Sequence, residues 1–177
     1  MKATGIVRRI DDLGRIVVPK EIRRTLRIRE GAPLEIYTDK DGEIVLKKYS
    51  PMGDVSEYAR GFAETLASVL QKTAVVTDTD TVIAAGGPER RGYMGKGLSQ
   101  RLMEKIAQQK EPTEPVPVFE GEDMAQVKSQ LVKLIVCDGM TIGSVILISG
   151  DRPTSESDEK CSRIAAGFIS AQIGESI

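Results

Sequence analysis

Histidine and tryptophan are absent from this sequence, and it holds only two cysteines, three phenylalanines and four tyrosines. Without imidazole, a single chain cannot assemble a Ser-His-Asp or Cys-His catalytic set, a histidine-ligated zinc or iron, or an imidazole pH switch. Catalysis is narrowed by this and not abolished, because carboxylates, lysine, tyrosine and cysteine still perform acid–base and nucleophilic chemistry. So few aromatic rings suit poorly the stacking of successive single-stranded bases, which disfavours RNA as a partner. No apolar run approaches the roughly 18 residues of a membrane span. The N-terminal MKATGIVRRIDD also lacks the apolar stretch of a secretion signal. Two cysteines without such a signal fit a reducing, cytoplasmic setting. The expectation is a soluble intracellular protein, off the membrane, with no cofactor and no conventional enzymatic site.

Charge is balanced in total, with 25 Lys and Arg against 26 Asp and Glu, but not along the chain. Residues 1–29 carry nine basic and three acidic groups, while residues 49–177 carry 13 basic and 18 acidic ones. This asymmetry describes a basic head for a polyanion and an acidic body. Between them, Pro51 and Gly53 interrupt both strand and helix periodicity, and helical patterning resumes at Val55. The division expected is therefore a domain over residues 1–50, a linker over 51–54 and a second domain over 55–177.

In the head, Gly5–Ile10 and Arg15–Val18 read as strands around an Asp11-Asp12-Leu13-Gly14 turn, where Gly14 supplies a positive φ. Pro19 stops the second strand and suits the start of a helix running from Lys20 to about Arg27. Ile22 and Leu26 share one face of that helix, so Arg23, Arg24 and Arg27 project elsewhere. Two more strands, Leu34–Tyr37 and Glu43–Leu46, flank Asp41-Gly42, a hairpin signal. Fewer than 50 residues of short strands rarely bury enough surface alone, and no disulfide or metal is available to help. Ile6, Val7, Ile16, Val17, Ile36 and Leu46 need an apolar partner, which a symmetric dimer supplies while doubling the arginine set. Guanidiniums on short rigid elements contact phosphates and fork onto guanine edges in the major groove of duplex DNA.

The stretch TGIVRRIDDLGRIVVPKEIRRTLRIREGAPLEIYTDKDGEIVLKKY closely resembles the AbrB-type DNA-binding domain of bacterial transition-state regulators. The run Gly14-Arg15-Ile16-Val17-Val18-Pro19, followed by Ile22-Arg23-Arg24, carries most of the likeness. It implies a swapped-hairpin dimer in which two chains interleave their strands into one small β-barrel. It also implies that Arg8, Arg15, Arg23 and Arg24 face double-stranded DNA, with Arg9, Lys20 and Lys2 as secondary candidates. Strand alternation puts Arg8 and Arg9 on opposite faces, so at most one points straight at a given groove. The alternative role for these arginines is a solvated face, with Arg24 and Arg27 complementing the helix C-terminal dipole.

Beyond residue 54 the pattern is helix, two strands, helix, loop, two strands, helix, an α+β arrangement. The expected helices cover about 55–70, 97–109 and 155–174. The expected strands are Lys72–Asp78, Thr81–Ala85, Gln130–Cys137 and Thr141–Ser149. Element order and length resemble a GAF domain, a small-molecule-sensing fold, and together the two likenesses are those of a bacterial regulator of sporulation genes. The glycines around Lys96 fail the G-x-x-x-x-G-K-[ST] phosphate-binding pattern, since Arg90 and Gly97 occupy two of its fixed positions. Cys137 and Cys161 read as small buried hydrophobes, and the acidic residues between Glu111 and Asp123 as a solvated loop. The first and last helices of this domain offer apolar stripes with small residues. They are expected to pair with a second subunit in a four-helix bundle, and two different dimer contacts in one chain generate a tetramer. The function expected is a sequence-specific transcriptional regulator, activating or repressing, with an unidentified small molecule as a further partner. The alternative is an antitoxin of the same N-terminal fold that neutralises a toxin.

Overall fold

A computed structural model describes residues 5–26, 28, 30, 34–53 and 55–174, and the chain divides into two compact units, Met1–Tyr49 and Ser50–Ile177.

In the first unit, helix α1 (Lys20–Thr25) begins directly after Pro19, whose φ of −58° already matches a helix. It ends at Thr25, short of the expected Arg27, which lies outside the described residues. Strands β1 (Leu34–Thr38) and β2 (Ile44–Lys48) pair antiparallel, Leu34 opposite Lys48 and Thr38 opposite Ile44. Their turn is built on Asp39, whose Oδ1 accepts the N–H groups of Asp41 at 3.0 Å and Glu43 at 2.9 Å. The same construction recurs upstream, where Asp11 Oδ1 accepts the N–H groups of Leu13 at 3.1 Å and Arg15 at 2.8 Å. Gly14 and Gly42 take the same place in the two turns, with φ of 77° and 79°.

The strands expected on either side of Asp11 do not form a ladder within the chain, and this corrects the sequence reading. Only the turn closes, through Asp11 N–H to the Arg15 carbonyl at 3.1 Å and Gly14 N–H to the Asp11 carbonyl at 3.0 Å. No other strand of the described chain lies beside residues 5–18 to complete their backbone pairing.

The second unit is a four-stranded antiparallel sheet in the order β4-β3-β6-β5. Its strands are β3 (Thr73–Thr77), β4 (Val82–Gly86), β5 (Ser129–Cys137) and β6 (Met140–Ser149). The β5–β6 hairpin turns on Asp138 and Gly139, both with positive φ, as a two-residue connection requires. Helices α2 (Ser56–Leu70) and α5 (Glu156–Gly174) cover one face, packing Ala63, Leu66, Ala165 and Ile169 against Val76 and Leu147. Helix α2 lies directly on β4. A Cβ on Gly86 would fall 2.2 Å from the Ala63 carbonyl oxygen, so glycine and the buried alanines Ala59, Ala63 and Ala67 set that approach. The opposite face holds a second core of Val75, Val132 and Ile146 under Leu98, Val116 and helix α4 (Gln100–Ala107). Ser99 caps α4, accepting the Leu102 N–H.

Three local features differ from the sequence reading. Pro51–Gly53, expected within a linker, is a 3-10 turn, and the Met52 side chain is fully buried in the core of the second unit. A short helix, α3 (Arg90–Tyr93), follows β4 where a loop was expected. In the acidic loop Glu111, Glu114, Glu120 and Asp123 are exposed, as a solvated loop is, whereas Glu122 is half-buried and bound into the fold. Glu122 accepts hydrogen bonds from the Tyr93 hydroxyl at 2.5 Å and from the Val118 N–H. Glu111 accepts from Lys133 Nζ at 2.8 Å, and Glu120 from the Gln100 N–H at 2.7 Å. Of the free thiols, Cys137 is buried and Cys161 half-buried against the core, in line with their reading as small hydrophobes.

Candidate nucleic-acid interface

The candidate interface belongs to the first unit. The Asp11 turn carries Arg15, and the carboxylate binds it twice, through the backbone N–H and through Nε at 2.8 Å. These bonds hold the Asp11 carboxyl below its ordinary value, the Arg15 backbone N–H first and the guanidinium second. The Arg15 side chain is nevertheless 68% exposed, so its outer nitrogens are presented to solvent on a fixed stem.

Arg8, Arg9, Lys20 and Arg24 are exposed as well, while Arg23 is half-buried. Arg23 Nε is shielded from solvent and has no hydrogen-bond partner among the described residues. A buried donor without an acceptor is costly unless something supplies one, and the cost is greater on a cation. Lys2 lies outside the described residues, as do Arg27 and Arg29. Both Arg23 and Arg24 sit in the last turn of α1, where cations favour the carbonyl end of the helix.

Around these cations the apolar side chains are uncovered: Val7 is 85% exposed, Val17 71% and Ile36 66%. The six-residue helix α1 buries none of its residues. Sequence reasoning located the arginines and the turn but not the role of Asp11. The Asp-x-x-Gly-x spacing, repeated at Asp39, is the signal that identifies it. Among the described residues no helix is long and apolar enough to cross a membrane, and no group of three His, Cys, Asp or Glu side chains is placed to hold a metal.

Comparison with known proteins follows the same division of the chain. The family described as antidote-toxin recognition MazE, bacterial antitoxin, matches residues 7–54. The family described as Stage V sporulation protein T C-terminal, transcription factor, matches residues 54–174. Transition state regulatory protein AbrB of Bacillus subtilis (strain 168) is 63% identical over 51 residues, which are 29% of this chain and 52% of that protein. The second unit has the fold of the GAF domain from Acinetobacter phosphoenolpyruvate-protein phosphotransferase. That likeness has a TM-score of 0.56 at 12% identity and covers 73% of this chain and 86% of that one. Stage V sporulation protein T of Bacillus subtilis (strain 168) is 44% identical over 177 residues, 98% of this chain and 99% of that protein. With both chains covered almost from end to end, the chain belongs to the Stage V sporulation protein T family of transcription factors.

Proposed function

We propose that the protein is a cytoplasmic regulator of sporulation genes that binds duplex DNA as a dimer of its first unit and acts by binding, not turnover. The observation that carries this reading is the placement of exposed cations beside an apolar surface that none of the described residues of the first unit covers. A second copy adding strands beside residues 5–18 satisfies both needs: it completes a sheet and brings two sets of Arg8, Arg15, Arg23 and Arg24 onto one assembly. Arg9, Lys20 and Lys2 add phosphate contacts at the margins. The 63% identity to a transition state regulatory protein over this unit supports the same reading.

The second unit gives the assembly a second symmetric contact. On α2 and α5, Tyr58, Ile164 and Phe168 are exposed, and Phe168 already packs on Tyr58 and Phe62 with ring centroids 5.9 and 5.2 Å away. Pairing of these faces between chains joins two DNA-binding dimers into a tetramer. A small molecule held by the second unit modulates binding, a reading supported by its GAF-like fold. Selection of bound duplexes from a random pool, followed by fluorescence anisotropy at several salt concentrations, tests the reading. A recovered consensus with a steep salt dependence is expected; binding indifferent to sequence would overturn it.

One observation favours a second reading, an antitoxin that neutralises a toxin: the match of residues 7–54 to an antitoxin family. Co-purification of a small partner protein with the full chain would support it.

A further inference from the structure

A cavity of about 460 Å³ opens at one end of the GAF-like sheet, where Thr73 begins β3 and Ser149 ends β6. Its apolar wall is Tyr93, Phe119, Val127 and Ile148, with the Tyr93 and Phe119 rings 5.6 Å apart at 76°. Four carboxylates line it as well: Glu89, Glu122, Asp123 and Asp151. The C-terminal end of α2 reaches it at Gln71, adding the negative end of a 15-residue helix dipole. Lys72 is the one cationic residue of the lining, and its ammonium is already held by Asp158 Oδ2 at 2.6 Å and the Pro153 carbonyl at 3.0 Å.

We infer that this cavity binds a small aliphatic amine, carrying primary ammonium groups and no carboxylate. The sign of the ligand follows from the lining: an anion, or the carboxylate of an amino acid, would meet Glu89, Glu122 and Asp123, an Asp151 paired with Arg152 at 3.4 Å, and a lysine already held by Asp158. The organic character follows from the two rings and the aliphatic floor, which a hydrated metal ion does not need. No three carboxylates converge closely enough to ligate a metal among the described residues. Aromatic faces attract ammonium groups, and Lys96 Nζ, 3.6 Å from the Phe119 centroid, is a cation already in place beside this wall. Burial first, then the bond to Glu122 and the charges of Glu122 and Glu89, push the ionisation of the Tyr93 phenol upward.

A modulating role for the amine rests on the proposed reading of the second unit as a sensor; binding itself does not. The test is calorimetric titration of the DNA-free full chain with putrescine and with spermidine, with glutamate, phosphate and magnesium chloride as controls. One amine site per chain is expected, with no heat from glutamate or phosphate. Affinity is expected to fall by about tenfold or more in Glu89→Lys, where charge is reversed at an exposed position. Phe119→Leu, which keeps the wall apolar but removes the ring, is expected to weaken binding without unfolding the domain. Absence of amine binding, unchanged affinity in both variants, or displacement of the amine by magnesium would each overturn the site. DNA binding by the same preparations separates the two readings. Intact DNA binding without an amine site overturns this inference alone, and amine binding without DNA binding overturns the regulator reading alone.

Discussion

The Asp11 carboxylate holds Arg15 by backbone and side chain at once, each bond 2.8 Å long and each to a different carboxylate oxygen. The grip fixes the turn and pre-orients a guanidinium that is otherwise a flexible, exposed side chain. Asp11→Ala is expected to lower the ratio of specific to non-specific DNA affinity several-fold. Non-specific binding itself should hold or rise, because an acidic group near the phosphates is removed. Asp11→Asn, which keeps one oxygen for the backbone N–H groups, should fall between the two proteins. The Asp11 carboxyl lies below its ordinary value, so its contribution is complete above the normal carboxylate range and is lost only as pH falls through that lowered value. Affinity should therefore be flat from about pH 8 to about pH 5 as far as this pair is concerned, which anisotropy across that range checks.

Arg23 and Arg24 are neighbours with different surroundings, and their replacements should differ accordingly. Arg24 is exposed, so Arg24→Ala should weaken binding to all duplexes and reduce the log–log salt slope by about 0.9, the value for one phosphate left unneutralised. Arg23 is half-buried, and its Nε is shielded from solvent with no partner among the described residues. With a base edge read by its terminal nitrogens, Arg23→Ala should cost about 1–3 kcal/mol on the selected sequence and little on random DNA. An unchanged affinity and salt slope in both variants would count against the interface.

What the sequence made legible divides by the range of the interaction responsible. The Asp138-Gly139 hairpin and helix α5 were readable because local backbone preference and a sustained apolar stripe determine them. Arg8, Arg15, Arg23 and Arg24 were proposed through a resemblance over nearly fifty residues, and their contact with DNA awaits the variants above. The strands around Asp11 were over-read, because alternation records a strand's need for neighbours without showing whether the same chain provides them. Helix α3 is four residues long and leaves no periodicity to detect. Glu122 was taken for a solvated acid because its partner, Tyr93, lies 29 positions away. Lys72 and Asp158, 86 positions apart, were invisible as a pair for the same reason.

That pair makes the sharpest stability test in the second unit. Its Nζ–Oδ2 distance is 2.6 Å, with side chains 5% and 4% exposed. Asp158 also belongs to the N-terminal cap of α5, its Oδ2 accepting the Ser155 N–H at 2.6 Å and hydroxyl at 2.8 Å. Burial alone would raise its carboxyl, but the bonds from Lys72 and Ser155 outweigh it and leave it lowered. Lys72→Met strands a buried carboxylate and is expected to cost about 3–5 kcal/mol in urea unfolding near neutral pH. Adding Asp158→Leu should recover part of that loss. The pair stabilises the fold above the ordinary carboxylate range and ceases to as pH falls through the lowered value of Asp158. The deficit of Lys72→Met relative to the unaltered protein should therefore shrink as the pH is brought down.

The exposed face of α2 and α5 carries the last expectation. Ile164 is 67% exposed on a helix whose other side is buried in the core, so Ile164→Asp should leave the fold of the unit intact. A charge placed there would be desolvated in a helix bundle between chains and tolerated everywhere else. Sedimentation velocity of the unaltered protein should show a tetramer, and the variant a dimer that still binds DNA through its first unit. Thermal unfolding of the variant, expected within a few degrees of the unaltered protein at high dilution, separates loss of an interface from loss of structure. Only dimers in the unaltered protein would remove the second interface and leave α2 and α5 facing solvent.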